Sequence, residues 1–91
     1  MMKKLIDLIA REKPFRMLAY MSEDGIYPSK LAKLCDVTYS HVFRILKIFE
    51  SSGIIKSKIE GRKRIIELTE KGEKLSKLAD EILSLMNNLE D

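Results

Sequence analysis

Residues 31–46, LAKLCDVTYSHVFRIL, contain two helical patterns on either side of a turn. In the first pattern, Leu31, Leu34 and Cys35 recur at positions i, i+3 and i+4. This spacing places apolar side chains on one face of a helix. We therefore expect a short helix that begins near Pro28, ends near Cys35 and buries this face.

The second pattern predicts a longer amphipathic helix from Tyr39 to about Ser52. Asp36 tolerates the left-handed backbone of a tight turn, Thr38 has a hydroxyl that can cap the following helix, and Gly53 suits the left-handed position after it. The buried face of this helix is expected to consist of four apolar residues, Val42, Ile45, Leu46 and Phe49.

The hydrophobic period changes after this helix. Ile54–Ile59 and Arg64–Leu68 are short β-branched runs joined through Glu60–Lys63. A connection that contains glycine between two such runs predicts a β-hairpin. Thr69 can then cap a final helix.

The segment before residue 28 is predicted to be mostly helical from residue 3 to about residue 21. Pro14 lies inside it and, because proline lacks a backbone donor, predicts a break or the start of a second helix there. Pro28 favours an extended backbone before it, so Ile26-Tyr27 is expected to form a very short strand.

Length and charge narrow the class of protein. Ninety-one residues suffice for one small domain, which excludes a two-domain dinucleotide-binding enzyme or a (β/α)₈ barrel. Residues 29–69 hold nine basic and four acidic residues, whereas residues 70–91 hold three basic and six acidic ones. A basic middle segment indicates a polyanion as partner.

Several kinds of chemistry lack the residues they need. The sequence has one cysteine and one histidine, no Gly-rich phosphate loop, and no Ser/His/Asp set at catalytic spacing. We therefore expect neither an enzyme nor a metal or other cofactor. Cys35 is interpreted as a buried apolar residue, with a redox switch as the alternative.

No apolar run is long enough for a membrane span. We expect a cytoplasmic protein, which is nucleoid-associated, or in a host's cytoplasm if it is viral.

Two helices joined by a tight turn form a helix-turn-helix. A basic hairpin directly after them is typical of a winged helix-turn-helix. Residues 31–46 resemble the helix-turn-helix of MarR-type transcription regulators, as do Gly53-Ile54-Ile55 and the run from Gly61 to Gly72. The composition is similar to that of short archaeal or archaeal-virus members. The resemblance covers about residues 14–75 and departs from the family pattern at Asp36, where glycine is common, and at Phe43, where a small polar residue often stands.

The resemblance implies a mainly α fold with a small antiparallel β-hairpin wing. It divides the chain into an N-terminal helix (1–13), a winged helix-turn-helix DNA-binding domain (14–69) and a C-terminal dimerisation helix (70–91). The function implied is a transcription regulator that binds a pseudo-palindromic site in double-stranded DNA as a homodimer. A protein–protein interaction module and a non-specific architectural DNA-binding protein are the alternatives, and a small-molecule effector is left open.

The candidate DNA contacts fall into three groups. The recognition helix would contribute Thr38, Tyr39, Ser40, His41, Phe43, Arg44 and Lys47, because a major groove admits one α-helix. The wing would contribute Lys58, Arg62, Lys63 and Arg64, with Arg62 best placed for a minor groove. Ser29 and Lys30 are candidates for the DNA backbone. The alternatives are a solvated helix face, a hairpin edge protected by charge and, for Ser29 and Lys30, a plain helix cap.

The C-terminal helix has a second pattern, since five apolar residues are spaced 3, 4, 3 and 4 apart. They are Leu75, Leu78, Ile82, Leu85 and Leu89. This is a coiled-coil seam, narrower than the face that a helix buries in a globular domain. Together with Leu5, Leu8 and Ile9 it predicts a dimer interface. The alternative is a helix that folds back on its own domain.

Overall fold

The computed structural model describes residues 5–24 and 26–90. Within these ranges the helices and strands are α1 (Leu5–Ile9), α2 (Glu12–Asp24), α3 (Pro28–Cys35), α4 (Tyr39–Ser51), β1 (Ile55–Glu60), β2 (Lys63–Leu68) and α5 (Glu70–Glu90). The chain is mainly α with one antiparallel hairpin, as the sequence predicts. Residues 1–4 and 91, which belong to the predicted terminal helices, lie outside the described residues.

The helix-turn-helix forms where the sequence predicts it. Asp36 has a φ of 55° at the end of α3, and the Thr38 hydroxyl accepts a hydrogen bond of 3.2 Å from the backbone N–H of His41. Gly53 follows α4 with a φ of +81°. The predicted face of α4 is buried. In α3, Leu31 and Cys35 are buried, but Leu34 is 44% exposed. Leu31 and Cys35 are four residues apart and lie one above the other on the helix, whereas Leu34 lies to one side of them.

The core is built around α2. Four of its apolar residues are buried, namely Met17, Leu18, Ala19 and Met21. They meet the buried stripe of α4 and the buried residues of α5. The hydroxyl of Ser76, which is fully buried, donates to the backbone carbonyl of Leu18. Small side chains therefore let α5 lie close along α2.

The expectations for the N-terminal third need correction in two places. The helical break falls at residues 10–11, and α2 begins at Glu12, two residues before Pro14. Proline is tolerated there because the N–H groups of a first helical turn have no helical acceptor. Ile26-Tyr27 is extended but does not form the predicted strand, since two residues followed by a proline offer few ladder hydrogen bonds.

The hairpin has a tighter turn than the sequence indicates. Glu60 pairs with Lys63, which leaves Gly61-Arg62 as a two-residue turn with a left-handed Gly61 (φ +62°). At the other end of the hairpin, Ile55 pairs with Leu68 and both pack on the core. The base of the wing is therefore fixed to the domain, while its tip projects from it.

Thr69 connects the wing to the helices on both sides of it. Its backbone N–H donates to the carbonyl of Ile54 at 2.9 Å, and its hydroxyl donates to the carbonyl of Gly53 at 2.6 Å. The same hydroxyl accepts a bond of 3.0 Å from the N–H of Gly72, which confirms the predicted cap of α5. No helix in the described part of the chain is both long enough and apolar enough to cross a bilayer.

Gly72 is expected to resist substitution, because a Cβ there would overlap the carbonyl oxygen of Ile54. Replacing glycine by alanine inside a helix ordinarily stabilises it by about 1 kcal/mol. Here we expect Gly72→Ala to lower the free energy of unfolding by about 1–3 kcal/mol through overpacking. Urea denaturation measures the change, with Ser84→Ala on the exposed surface of α5 as the control. A Gly72→Ala variant more stable than the parent would contradict this account.

Candidate nucleic-acid interface

The side of α4 opposite its buried stripe carries polar and basic side chains. Ser40, Arg44 and Lys47 are all exposed and recur along one helix face. Among the residues that the structure describes, neither Arg44 nor Lys47 forms an ion pair or a side-chain hydrogen bond. The predicted recognition face is therefore cationic and not neutralised by neighbouring side chains.

Two aromatic residues lie next to each other on the surface of α4. The ring centroids of Tyr39 and Phe43 are 4.9 Å apart with a tilted geometry, one helical turn from each other. The side chains remain 52% and 43% exposed. Phe43 also lines the groove between α4 and the hairpin, so part of its ring is covered by the protein and part is exposed.

A groove of about 240 Å³ separates α4 from the wing, with Phe43 and Lys47 on one wall and Arg64 on the other. The hydroxyl of Ser57 on β1 donates to the Glu50 carboxylate on α4 at 2.8 Å. This bond ties the wing to the recognition helix. Sequence reasoning missed both residues, because their pairing depends on the strand register, which no local signal specifies.

Strand alternation gives the hairpin two different faces. Ile55, Ser57 and Ile59 share the face directed toward α4, and their ladder partners Leu68, Ile66 and Arg64 lie on the same face. The opposite face carries Lys58, Glu60, Lys63 and Glu67. Of the four predicted wing cations, Arg64 thus lies on the side of α4, Lys58 and Lys63 on the far side, and Arg62 in the turn.

Lys58 is engaged by carboxylates, unlike the other predicted wing cations. Its Nζ lies 3.0 Å from Oε1 of Glu67 and 3.6 Å from Oε1 of Glu60. The hydrogen bond to Lys58 lowers the pKa of the Glu67 carboxyl, and the same bond raises the pKa of Lys58. Within the described residues, Arg62, Lys63 and Arg64 have no such ion pair and are exposed.

A second groove, of about 300 Å³, separates α4 from the junction of α1 and α2. Half-buried His41 and exposed Arg44 lie on its α4 side, and Arg11, Glu12 and Lys13 lie opposite them. Arg11 extends the cationic surface beyond the helix-turn-helix, whereas the charge of Lys13 is opposed by the Glu12 carboxylate, 4.0 Å from its Nζ. The sequence did not indicate them, since nearly thirty residues separate them from α4.

The start of α3 lies with its first turn exposed. Ser29 and Lys30 are exposed residues of this turn. Tyr27 occupies the N-cap position and makes no side-chain capping bond. The alternative interpretation of Ser29 as the helix cap is therefore wrong.

The predicted seam on α5 is separate from the face that packs on α2. The helix buries Gly72, Ser76, Ala79 and Leu83. Four of the five seam residues are exposed to between 49% and 79%, namely Leu78, Ile82, Leu85 and Leu89, while Leu75 is half-buried. Leu5, Leu8 and Ile9 are half-buried against the core. The helix folds back on its own domain, but it does so with another face.

The remaining candidates are a reactive cysteine and a metal site. Cys35 is 1% exposed, and its burial raises the pKa of the thiol, which disfavours the reactive thiolate. In the part of the chain that the structure describes, no three His, Cys, Asp or Glu side chains come together as a metal site.

Solved structures with the same architecture define the class of the fold. A MarR family transcriptional regulator from Silicibacter pomeroyi, SPO1453, matches with a TM-score of 0.73 and 22% identity over 91% of this chain and 62% of its own. The F-93 protein of SSV1 matches with a TM-score of 0.70 and 19% identity over 87% of this chain and 93% of its own. The chain has the MarR-like winged helix-turn-helix fold.

Sequence comparison identifies nearer relatives. No protein-family model matches the chain. An uncharacterised protein of Archaeoglobus fulgidus is 33% identical over 88 residues, which cover 91% of this chain and 93% of the relative. The crystal structure of AF1382 from Archaeoglobus fulgidus has a TM-score of 0.64 and 32% identity over 97% of this chain and 99% of its own. The chain belongs to the same family as these Archaeoglobus proteins, with a MarR-like winged-helix fold.

Proposed function

We propose that this protein is a transcription regulator that binds a specific, pseudo-palindromic site in double-stranded DNA as a homodimer. The observation that carries the proposal is the outer face of α4, where Arg44 and Lys47 are exposed and without charged partners among the described residues. A B-DNA major groove is about 12 Å wide and admits such a helix. The MarR-family name of the Silicibacter protein with this fold agrees with the proposal.

The recognition helix would divide its contacts between bases and backbone. Arg44, at the centre of the outer face, would bond both acceptors of a guanine edge. Ser40 and Lys47 flank it and would contact bases or phosphates. The exposed part of Phe43 would meet a thymine methyl. His41 lies in the groove beside Arg11 and suits a phosphate.

Thr38 and Tyr39 would act at the first turn of α4. The Thr38 oxygen accepts the capping bond from His41, and its hydroxyl lies 3.4 Å from that of Ser40. Only one hydroxyl proton is used between these two side chains, so the other proton would be donated to a phosphate. Tyr39 packs on Phe43 and exposes one side to solvent. Ser29 and Lys30, at the open end of α3, would meet the phosphate backbone.

The wing would supply affinity through phosphates. Arg62, Lys63 and Arg64 are exposed cations near its tip. Lys58 would contribute less, because Glu67 and Glu60 already balance its charge. Affinity from such contacts falls as salt rises, since bound cations are released from the duplex.

The exposed seam on α5 supports the homodimer. A stripe formed by Leu78, Ile82, Leu85 and Leu89 on one side of a helix, 49–79% exposed, is typical of a surface that another chain covers. An adjoining apolar groove of about 470 Å³, lined in part by Ile6, Phe15 and Met86, could receive the partner's helix. Two copies would then present α4 to successive major grooves about 34–36 Å apart.

A protein-docking module is the second candidate. Phe43 and Ile48 are 43% and 40% exposed, and together they could bind an apolar partner. Titration with a random-sequence duplex at two salt concentrations separates the candidates. A DNA-binding regulator shows a steep fall in affinity with salt, whereas a docking module does not bind the duplex in this manner.

We expect Arg44→Ala and Lys63→Ala to weaken DNA binding in different ways. On a site selected from a random duplex pool, Arg44→Ala should cost about 1–3 kcal/mol and relax base choice at one position. Lys63→Ala should weaken binding to all sequences alike and reduce the salt slope by about 1. Lys58→Ala should cause a smaller loss than Lys63→Ala. Fluorescence anisotropy measures each affinity.

Lys77→Ala provides the matched control, because it removes the same charge from the exposed surface of α5. It should bind as the parent does. If Arg44→Ala and Lys63→Ala also bind both duplexes as the parent does, the assignment is wrong.

We expect Ile82→Glu to dissociate the dimer, because it places a charge in the middle of the seam. Ser84→Glu adds the same charge on another exposed side of α5 and should leave the dimer intact. Sedimentation equilibrium reports the mass of each variant. A parent protein that stays monomeric at high concentration, or an Ile82→Glu variant as dimeric as the parent, would contradict the assignment of this surface.

A further inference from the structure

Ile59, near the tip of the wing, is 77% exposed. A β-branched residue suits a strand, but threonine would suit it as well without exposing a fully apolar side chain. Contact with apolar surface of a partner would remove Ile59 from water, which favours binding. The position of Ile59 indicates which partner this is.

On the face of the hairpin that carries Ile59, the side chains become more exposed toward the tip. Ile55 is buried at 4% exposure, Ser57 is half-buried and bonded to Glu50 of α4, and Ile59 is largely exposed. Its ladder partner on the same face is Arg64. An apolar and a cationic side chain therefore project side by side, on the side of the wing directed toward the recognition helix.

The other face of the hairpin carries charges of both signs. Lys58 is paired there with Glu67 and Glu60, whose carboxylates would repel phosphates, while exposed Lys56 and Lys63 on the same face would attract them. The face with Ile59 and Arg64 has no acidic residue on either strand and combines positive charge with an exposed apolar side chain. This face therefore suits a groove that has apolar walls and phosphates along its rims.

We infer that Ile59 lies in the minor groove of the bound duplex beside Arg64 and makes the wing discriminate against the amino group of guanine. The inference deepens the proposed function and rests on it. A minor groove has apolar sugar walls, and only guanine places an N2 amino group on its floor. A·T-rich grooves are narrow and attract arginine, and apolar side chains are known to enter minor grooves. Ile59 would fit the floor of A·T pairs and meet the amino group of G·C pairs.

Base analogues under the wing test this inference in the whole protein. Hydroxyl-radical footprinting on the selected site locates the base pairs that the wing covers. These pairs are then made A·T, G·C or inosine·C, where inosine lacks the N2 amino group but keeps the major-groove edge of guanine. The parent should bind A·T and inosine·C duplexes alike and the G·C duplex roughly five- to tenfold more weakly.

Ile59→Thr should reduce this difference to less than about twofold, because the smaller, polar side chain no longer fills the groove. Ile65→Thr makes the same change on the opposite face of the same hairpin and should retain the parent's preference. Circular dichroism confirms that each variant is folded.

Two results would overturn the inference while the proposed function stands: a parent that binds the G·C and inosine·C duplexes equally, or an Ile59→Thr variant with an unchanged preference. Failure of the parent to bind any duplex at low salt would instead refute the proposed function itself.

Discussion

The hydrogen bonds of Thr69 hold together the parts of the molecule on which its proposed activity depends. One residue bonds to the carbonyls of Gly53 and Ile54, at the end of α4 and the start of the wing, and accepts the N–H of Gly72 in α5. The close approach of Gly72 to Ile54 fixes the same junction sterically. Recognition helix, wing and C-terminal helix therefore keep fixed relative positions, which a surface complementary to a duplex requires.

From this junction the wing projects with two unlike faces. On the far side of the hairpin, the carboxylates of Glu60 and Glu67 offset the charge of Lys58. On the side of α4, Ser57 is bonded to Glu50, and Arg64 lines the same groove as Phe43. In the proposed complex, phosphate contacts of the wing would supply affinity, and the outer face of α4 would supply base choice. The acidic C-terminal helix would remain outside the DNA and serve dimerisation.

The features that sequence predicts well here are local ones. The caps at Thr38 and Thr69, the left-handed residues Asp36 and Gly53, and the buried stripe of α4 each depend on residues close in the chain. The exposed seam of α5 is also visible in its spacing. The likeness to MarR-like structures follows from the same pattern, because the helix-turn-helix and wing are consecutive along the chain.

The sequence does not predict the contacts between segments that are distant along the chain. The pairing of Ser57 with Glu50, the engagement of Lys58 and the two faces of the wing require the strand register. Arg11 joins the cationic surface through tertiary packing alone. The predictions that Leu34 is buried and that Ile26-Tyr27 forms a strand were wrong for a related reason. Burial and strand pairing depend on which neighbouring segments pack against a residue.

The proposed function requires that α4 and the wing form a single DNA-binding surface. NMR can test this by following the backbone amide resonances of the full chain while a mixed-sequence duplex is added at low salt. We expect the largest shifts at residues 39–51 and 57–65, with little change along the second half of α5. Shifts concentrated on α5, or no shifts with excess duplex, would contradict it.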